Sequence, residues 1–168
     1  MELNEFAVTG LEMARWMTLA GVEGLTEAEM TYQPKEGMNH PLWLLGHIAV
    51  SENGLILRLC SGKDLLSGDW QGKFGIKSVP VADAKAYPKK EEVLAALAKT
   101  HEAAIEYVRS LAASDLDKRP MNLGEMPPSA QARFSTIARC IAGHVAHEAS
   151  HVGQMAVLRR LMGKQPRV

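Results

Sequence analysis

Apolar residues recur three and four positions apart along nearly the whole of this chain, and that period admits helices and little else. In the first stretch, about Leu3 to Leu19, the residues Leu3, Phe6, Gly10, Met13 and Met17 share a face, which predicts the core side of a helix ended by Gly21 and Gly24. The turn-rich run TYQPKEGMNHP leads into a second helix with Pro41 in its first turn; Leu44, Ile48, Leu55 and Leu59 form its stripe, beside His47, as far as Gly62. Lys63 to Pro88 is rich in Gly, Ser, Pro and Lys and reads as a long loop, unusual in a compact domain and so a candidate wall of a binding site. A third helix follows, with Glu91 and Glu92 where its dipole favours acids and a stripe of Leu94, Leu97, Ala98, Ile105, Val108 and Leu111 around His101. Pro120, Pro127 and Pro128 then break the pattern before a last helix, about Phe134 to Met162, whose buried stripe holds Ile137, Cys140, Ile141, Met155 and Leu158. Strand-like alternation is weak, and the one short run, KSVPVA, contains a proline. Four long helices without a clear strand predict an all-α fold, a helical bundle forming one domain over residues 1–168.

A chain of 168 residues buries roughly two-thirds of its unfolded surface and needs no staples. Its two cysteines, Cys60 and Cys140, lie in apolar helical patterns rather than in a C-x-x-C spacing, which reads as reduced core thiols in a reducing compartment. Glu2 and Glu5 stand where a signal peptide needs positive charge, and no apolar run approaches the ~20 residues that span a bilayer, so a cytoplasmic protein without membrane partners is expected. Nineteen basic against nineteen acidic side chains, with no dense Lys/Arg stripe, argue against a nucleic-acid partner. Nine methionines and apolar helix stripes on more than one face suggest surface to spare for a homodimer.

The chemistry concentrates in His147-Glu148-Ala149-Ser150-His151. Histidines four apart on a helix project from one face about 6 Å apart at Cβ and can close on one metal ion. The string also matches the H-E-x-x-H of zinc proteases, but those enzymes take a third ligand from further along the chain, and Val152 to Val168 contains no His, Asp, Glu or Cys. Proteolysis is therefore not expected, and any third ligand must come from upstream. On the last helix Cys140, His144, His147, Glu148 and His151 fall within about 100° of arc, a cluster of groups that are individually costly to bury. His147 with His151 is the best pair, since His144 to His151 spans two turns, on the order of 10 Å. Spacing does not choose between His47 and His101 as the upstream partner; His40, in a turn beside a proline, is expected to be exposed. Three roles stay open for Glu148: a general base, an acid that orders an imidazole, or a buried carboxylate paired with a basic residue.

The block YQPKEGMNHPLWLLGHIAVSEN, together with HEASHVGQMAVLRRLMGK, resembles the DinB-like (DinB/YfiT) superfamily of four-helix-bundle metalloproteins, and the order of elements is similar over the whole chain. There, a proline-containing turn leads to a tryptophan and a G-H pair on the second helix, and an H-x-x-x-H pair precedes G-Q on the last. The resemblance implies an up-down-down-up bundle, often dimeric, with His47, His147 and His151 holding one divalent metal ion among Zn, Ni, Mn or Fe. Many members carry His-His-Arg-Gly-Gln where this chain has Ser150-His151-Val152-Gly153-Gln154, so no role of that arginine transfers.

Three imidazoles on one divalent ion leave a position open, where water is acidified to a pKa near 7 or a thiol or carbonyl is held. Such a site suits catalysis more than scaffolding. Members resembling this chain include thiol-dependent transferases and isomerases that use low-molecular-weight thiols, and metal-dependent hydrolases. The alternative class is a non-catalytic metal or small-ligand binding protein linked to stress.

Overall fold

A computed structural model of the protein describes residues 1–167; Val168, the end of the expected domain, lies outside the described residues. Seven α-helices form it: α1 (Leu3–Val22), α2 (Glu27–Met30), α3 (Pro41–Glu52), α4 (Gly68–Phe74), α5 (Lys90–Arg109), α6 (Pro128–Arg133) and α7 (Ile137–Leu161), with no strand among the described residues. The four long elements pack as a bundle, α1 against α7 and α5, and α3 against α5 and α7. The second long helix is uniform only over α3. It continues as a π-helix, Asn53–Ser61, and stops at Gly62, whose φ of +74° is the left-handed conformation that glycine adopts without penalty. Helix starts follow local chemistry: Thr136 Oγ1 accepts the Arg139 amide to begin α7, and Pro41 opens α3, where a missing N–H costs nothing.

The interior has three layers. One apolar cluster contains Leu44, Leu45, Ile48, Phe74, Leu97 and Met155; a second contains Leu11, Ile56, Leu57, Val108, Cys140 and Ile141. Between them every long helix contributes polar side chains at one level: Arg15 and Thr18 from α1, Glu52 from α3, Thr100 from α5, and His144 and Glu148 from α7, all buried. Both cysteines are buried and free.

This polar layer overturns the expected core face of α1. Phe6 is 68% exposed and Met13 53%, with Leu3 also outward, while Val8, Leu11, Ala14, Arg15, Thr18 and Val22 face inward. At 100° per residue the two stripes lie roughly 130° apart. The inward face must meet buried carboxylates, so it carries a guanidinium and a hydroxyl, and the larger apolar side chains fall outside. On α5 the buried set is Val93, Ala96, Leu97, Thr100, Ala104, Ile105 and Val108, and Ala98 is exposed for the same reason: Thr100 turns toward the layer. Residues 63–88 are not plain loop, since α4 and the 3-10 turn Ala84–Ala86 interrupt them, and KSVPVA forms no strand. Phe134 lies before α7 and packs its ring against Gly143. His40, expected at the surface, is fully buried: its Nδ1 lies between the Trp43 amide and the Met30 carbonyl and its Nε2 faces the Val81 carbonyl, so it caps α3 and ties the following connection to it.

Candidate metal centre

Three imidazole nitrogens converge where α3 meets α7. Nε2 of His147 lies 3.1 Å from Nε2 of His47 and 3.0 Å from Nε2 of His151. His47 and His151 are buried and His147 half-buried. Donors around one tetrahedral ion at about 2.0–2.1 Å sit roughly 3.3 Å apart, so these nitrogens already stand within a few tenths of an ångström of that spacing.

The placement of His47 is built from its neighbours. Its ring stacks on Trp43, one turn earlier, with centroids 4.5 Å apart and planes 10° apart. Trp43 is itself held, its indole N–H donating to the Lys73 carbonyl and to Ser78 Oγ. Nδ1 of His47 donates to the Phe74 carbonyl at 2.7 Å. That bond fixes the tautomer, because a nitrogen facing a carbonyl carries the proton and the lone pair is left on Nε2, aimed at the other two histidines. Phe74 reaches this position because residue 46 is glycine: a Cβ there would stand 2.3 Å from the Phe74 ring. The connection between the second and third long helices thus walls the site, through α4.

Proton accounting at the centre is unusual. His147 Nε2 faces two nitrogens and has at most one proton to give, while its Nδ1 lies 3.2 Å from Ser51 Oγ. Burial is the main force on all three rings. It pushes His147 down to about 3, helped by the neighbouring His151 and His47, and His151 down to about 4, helped by His47. His47 is lowered by burial as well, against the Phe74 carbonyl. Nδ1 of His151 is buried without a hydrogen bond of good geometry, though the Gln154 side chain one turn on favours its protonated form. Three neutral rings with lone pairs converging are the donor set a divalent ion requires.

Beneath the triad lies the polar layer. Arg15 Nε donates to Glu148 Oε1 at 2.9 Å, and its terminal nitrogens donate to Glu52 Oε2 at 2.9 Å and the Leu97 carbonyl at 2.8 Å. Thr18 donates to Glu148 Oε1 and Thr100 to Glu52 Oε2. Burial raises the proton affinity of Glu148, but His144 and Arg15 outweigh it and hold the carboxyl at about 2; Glu52 is likewise lowered by His101 and Arg15 against its burial. Of the three roles open for Glu148, its contacts are those of the buried acid paired with a base. His101 turns away from the triad, its Nδ1 2.9 Å from Glu52 Oε1. The structure therefore brings His47, His147 and His151 together and sets His101 and Glu148 in the layer below.

Sequence reasoning did not find Arg15, Glu52 or the Phe74 carbonyl, and it met Trp43 only as the tryptophan of the family motif, without a role. Arg15 and Glu52 could have been flagged, since each interrupts a helix face that is otherwise apolar, and a buried charge must find a partner. A backbone carbonyl leaves no such trace.

The model of the DinB superfamily matches residues 11–155, which reaches from within α1 to within α7 and includes both histidine motifs. The chain belongs to the DinB superfamily. Its fold is similar to the crystal structure of a conserved protein from Enterococcus faecalis, with a TM-score of 0.74 and 20% sequence identity over 98% of this chain and 99% of that one. No curated protein matches. In this DinB-superfamily protein, then, the shared fold carries a possible metal-binding group of histidines, and no helix among the described residues is long and apolar enough to cross a membrane.

Proposed function

We propose that this protein is a metal-dependent enzyme that binds one divalent ion, among Zn, Ni, Mn or Fe, through Nε2 of His47, His147 and His151, and that it catalyses transfer to or from a low-molecular-weight thiol. The observation that carries the reading is the tautomer lock: Nδ1 of His47 is committed to the Phe74 carbonyl, so its lone pair joins those of two other neutral imidazoles at 3.0–3.1 Å. The bound ion would supply Lewis acidity and lower the pKa of a thiol or water at its open position. What the chain itself supplies is positioning. Trp43 and Phe74 hold His47, and the neutral rings leave the ion's charge uncancelled.

Glu148 is not available as the general base of a protease-type hydrolase: this carboxylate is fully buried, held by Arg15 and Thr18, and far too weak a base at about 2. A groove of about 370 Å³, lined by Met38, Asn39, Gln154, Val157, Leu158 and Leu161, adjoins the site through Gln154 and suits a small substrate with an apolar portion. Turnover of an electrophile with a small thiol, abolished by chelation and by His151→Ala, tests the reading; metal-dependent ester or amide cleavage without a thiol contradicts it.

The same reading takes the chain as one domain over residues 1–168, an up-down-down-up bundle in the cytoplasm, where the free thiols of Cys60 and Cys140 stay reduced. It also takes the protein as a homodimer. The outward face of α1, with Phe6 and Met13, adjoins α7 where Gly10 meets Val145, and α7 continues that face with the exposed small residues Ala142, Ala146, Ala149 and Gly153. Such a surface suits close packing against a second copy of itself.

A further inference from the structure

His144 is the most anomalous side chain of the polar layer. It is fully buried, and neither ring nitrogen has a hydrogen-bond partner. Buried imidazoles are ordinarily bonded through at least one nitrogen, so this one calls for an explanation. Nε2 points between two carboxylates, 3.3 Å from Glu148 Oε2 and 3.6 Å from Glu52 Oε1.

Those two oxygens are distinct from the ones that Arg15 engages at short range. Arg15 and the threonines bond Glu148 Oε1 and Glu52 Oε2, leaving Glu148 Oε2 only a long 3.4 Å contact to the guanidinium. Glu52 Oε1 faces His101 Nδ1 at 2.9 Å. Glu148 is thus anchored chiefly by Oε1 while Oε2 is turned toward His144, and Glu52 is held at both oxygens, its Oε1 lying between His101 and His144. Ligating carboxylates are commonly fixed by hydrogen bonds of this kind. The separations of 3.3 and 3.6 Å are also those of donors sharing one ion rather than of a well-aligned hydrogen bond. Two carboxylates face a single guanidinium, and a divalent cation at His144 would add positive charge between them.

We propose that Glu52, His144 and Glu148 form a second divalent-metal site inside the polar layer, with Arg15, Thr18, Thr100 and His101 holding the two carboxylates in place. One nitrogen and two carboxylate oxygens suit zinc, manganese or ferrous iron. The ring of His144 lies 6.4 Å from that of His147, so the two sites are neighbours without sharing a ligand. The second site does not depend on the first.

Zinc titration of the metal-stripped full-length protein, with elemental analysis after dialysis, distinguishes the two. The native chain should take up two equivalents, His151→Ala one, His144→Ala one, and the double variant none. His144→Gln, which keeps most of the side-chain volume, replaces the alanine variant if that one does not fold. Saturation of the native protein at a single equivalent, lost in His151→Ala and kept in His144→Ala, overturns the second site and leaves the three-histidine site standing. Two equivalents in His144→Ala overturn it as well. A single equivalent that survives His151→Ala and is lost in His144→Ala contradicts the first site instead.

Discussion

Replacing Gly46 by alanine should weaken metal binding although residue 46 touches no metal ligand's donor atom. The new Cβ would stand 2.3, 2.4 and 2.6 Å from Cδ1, Cε1 and Cγ of Phe74, where carbon contacts need about 3.5 Å. The ring cannot step aside. Phe74 is fully buried, with Trp70 at 5.3 Å and Tyr87 at 5.5 Å between ring centroids. The end of α4 must therefore retreat from α3 by roughly 1 Å, and its carbonyl with it. Nδ1 of His47, now 2.7 Å from that carbonyl, would then pass beyond hydrogen-bond range. Overpacking should lower stability by about 1–3 kcal/mol. Loss of the orienting bond should weaken zinc binding about 10- to 100-fold. Chelator competition measures the second effect and thermal melting of the metal-stripped protein the first. A Gly46→Ala protein that melts lower but binds zinc within a factor of two of native would show that the carbonyl does not orient His47.

Arg15→Leu should destabilise the protein by about 3–5 kcal/mol in urea unfolding, because it leaves Glu52 and Glu148 buried without their cation; a loss below 1 kcal/mol would mean that the layer is screened by water. In the metal-stripped protein the three site imidazoles are held neutral, with His147 at about 3 and His151 at about 4, below the unfolded value near 6.5. The unfolded chain therefore binds more protons as pH falls, so stability is complete above about pH 6.5 and drops through the window down to about 4, by up to ~1.4 kcal/mol per pH unit for each ring. A flat stability curve across that window contradicts the neutral assignment. Met13→Glu, on the exposed face of α1, should turn a sedimenting dimer into a monomer that keeps its helical circular dichroism, and a native protein that is monomeric at micromolar concentration rejects the dimer outright.

Much of the fold was legible because helical period, proline and glycine punctuation and capping residues act locally. The three later long elements begin and end within about three residues of expectation, as at Pro41, Gly62 and Lys90. The faces were harder. Phe6 and Met13 carry the larger apolar volume, yet the helix turns Arg15 and Thr18 inward because Glu148 sits opposite, a tertiary fact that no single helix encodes. At the site, the pairing of His147 with His151 follows from the helix repeat alone, whereas choosing His47 over His101 took the family resemblance. His101 has the same local setting but faces a carboxylate that belongs to another helix. The π-helical register of Asn53–Ser61 also left no signal, since the apolar stripe reads alike in either winding.

Diffraction from crystals soaked in zinc, recorded just above the zinc absorption edge, shows whether the three histidines hold one ion. An anomalous peak is expected about 2.0–2.1 Å from Nε2 of His47, His147 and His151 together. Absence of a peak between those three nitrogens at saturating zinc, with the histidines still 3.0–3.1 Å apart, would contradict it.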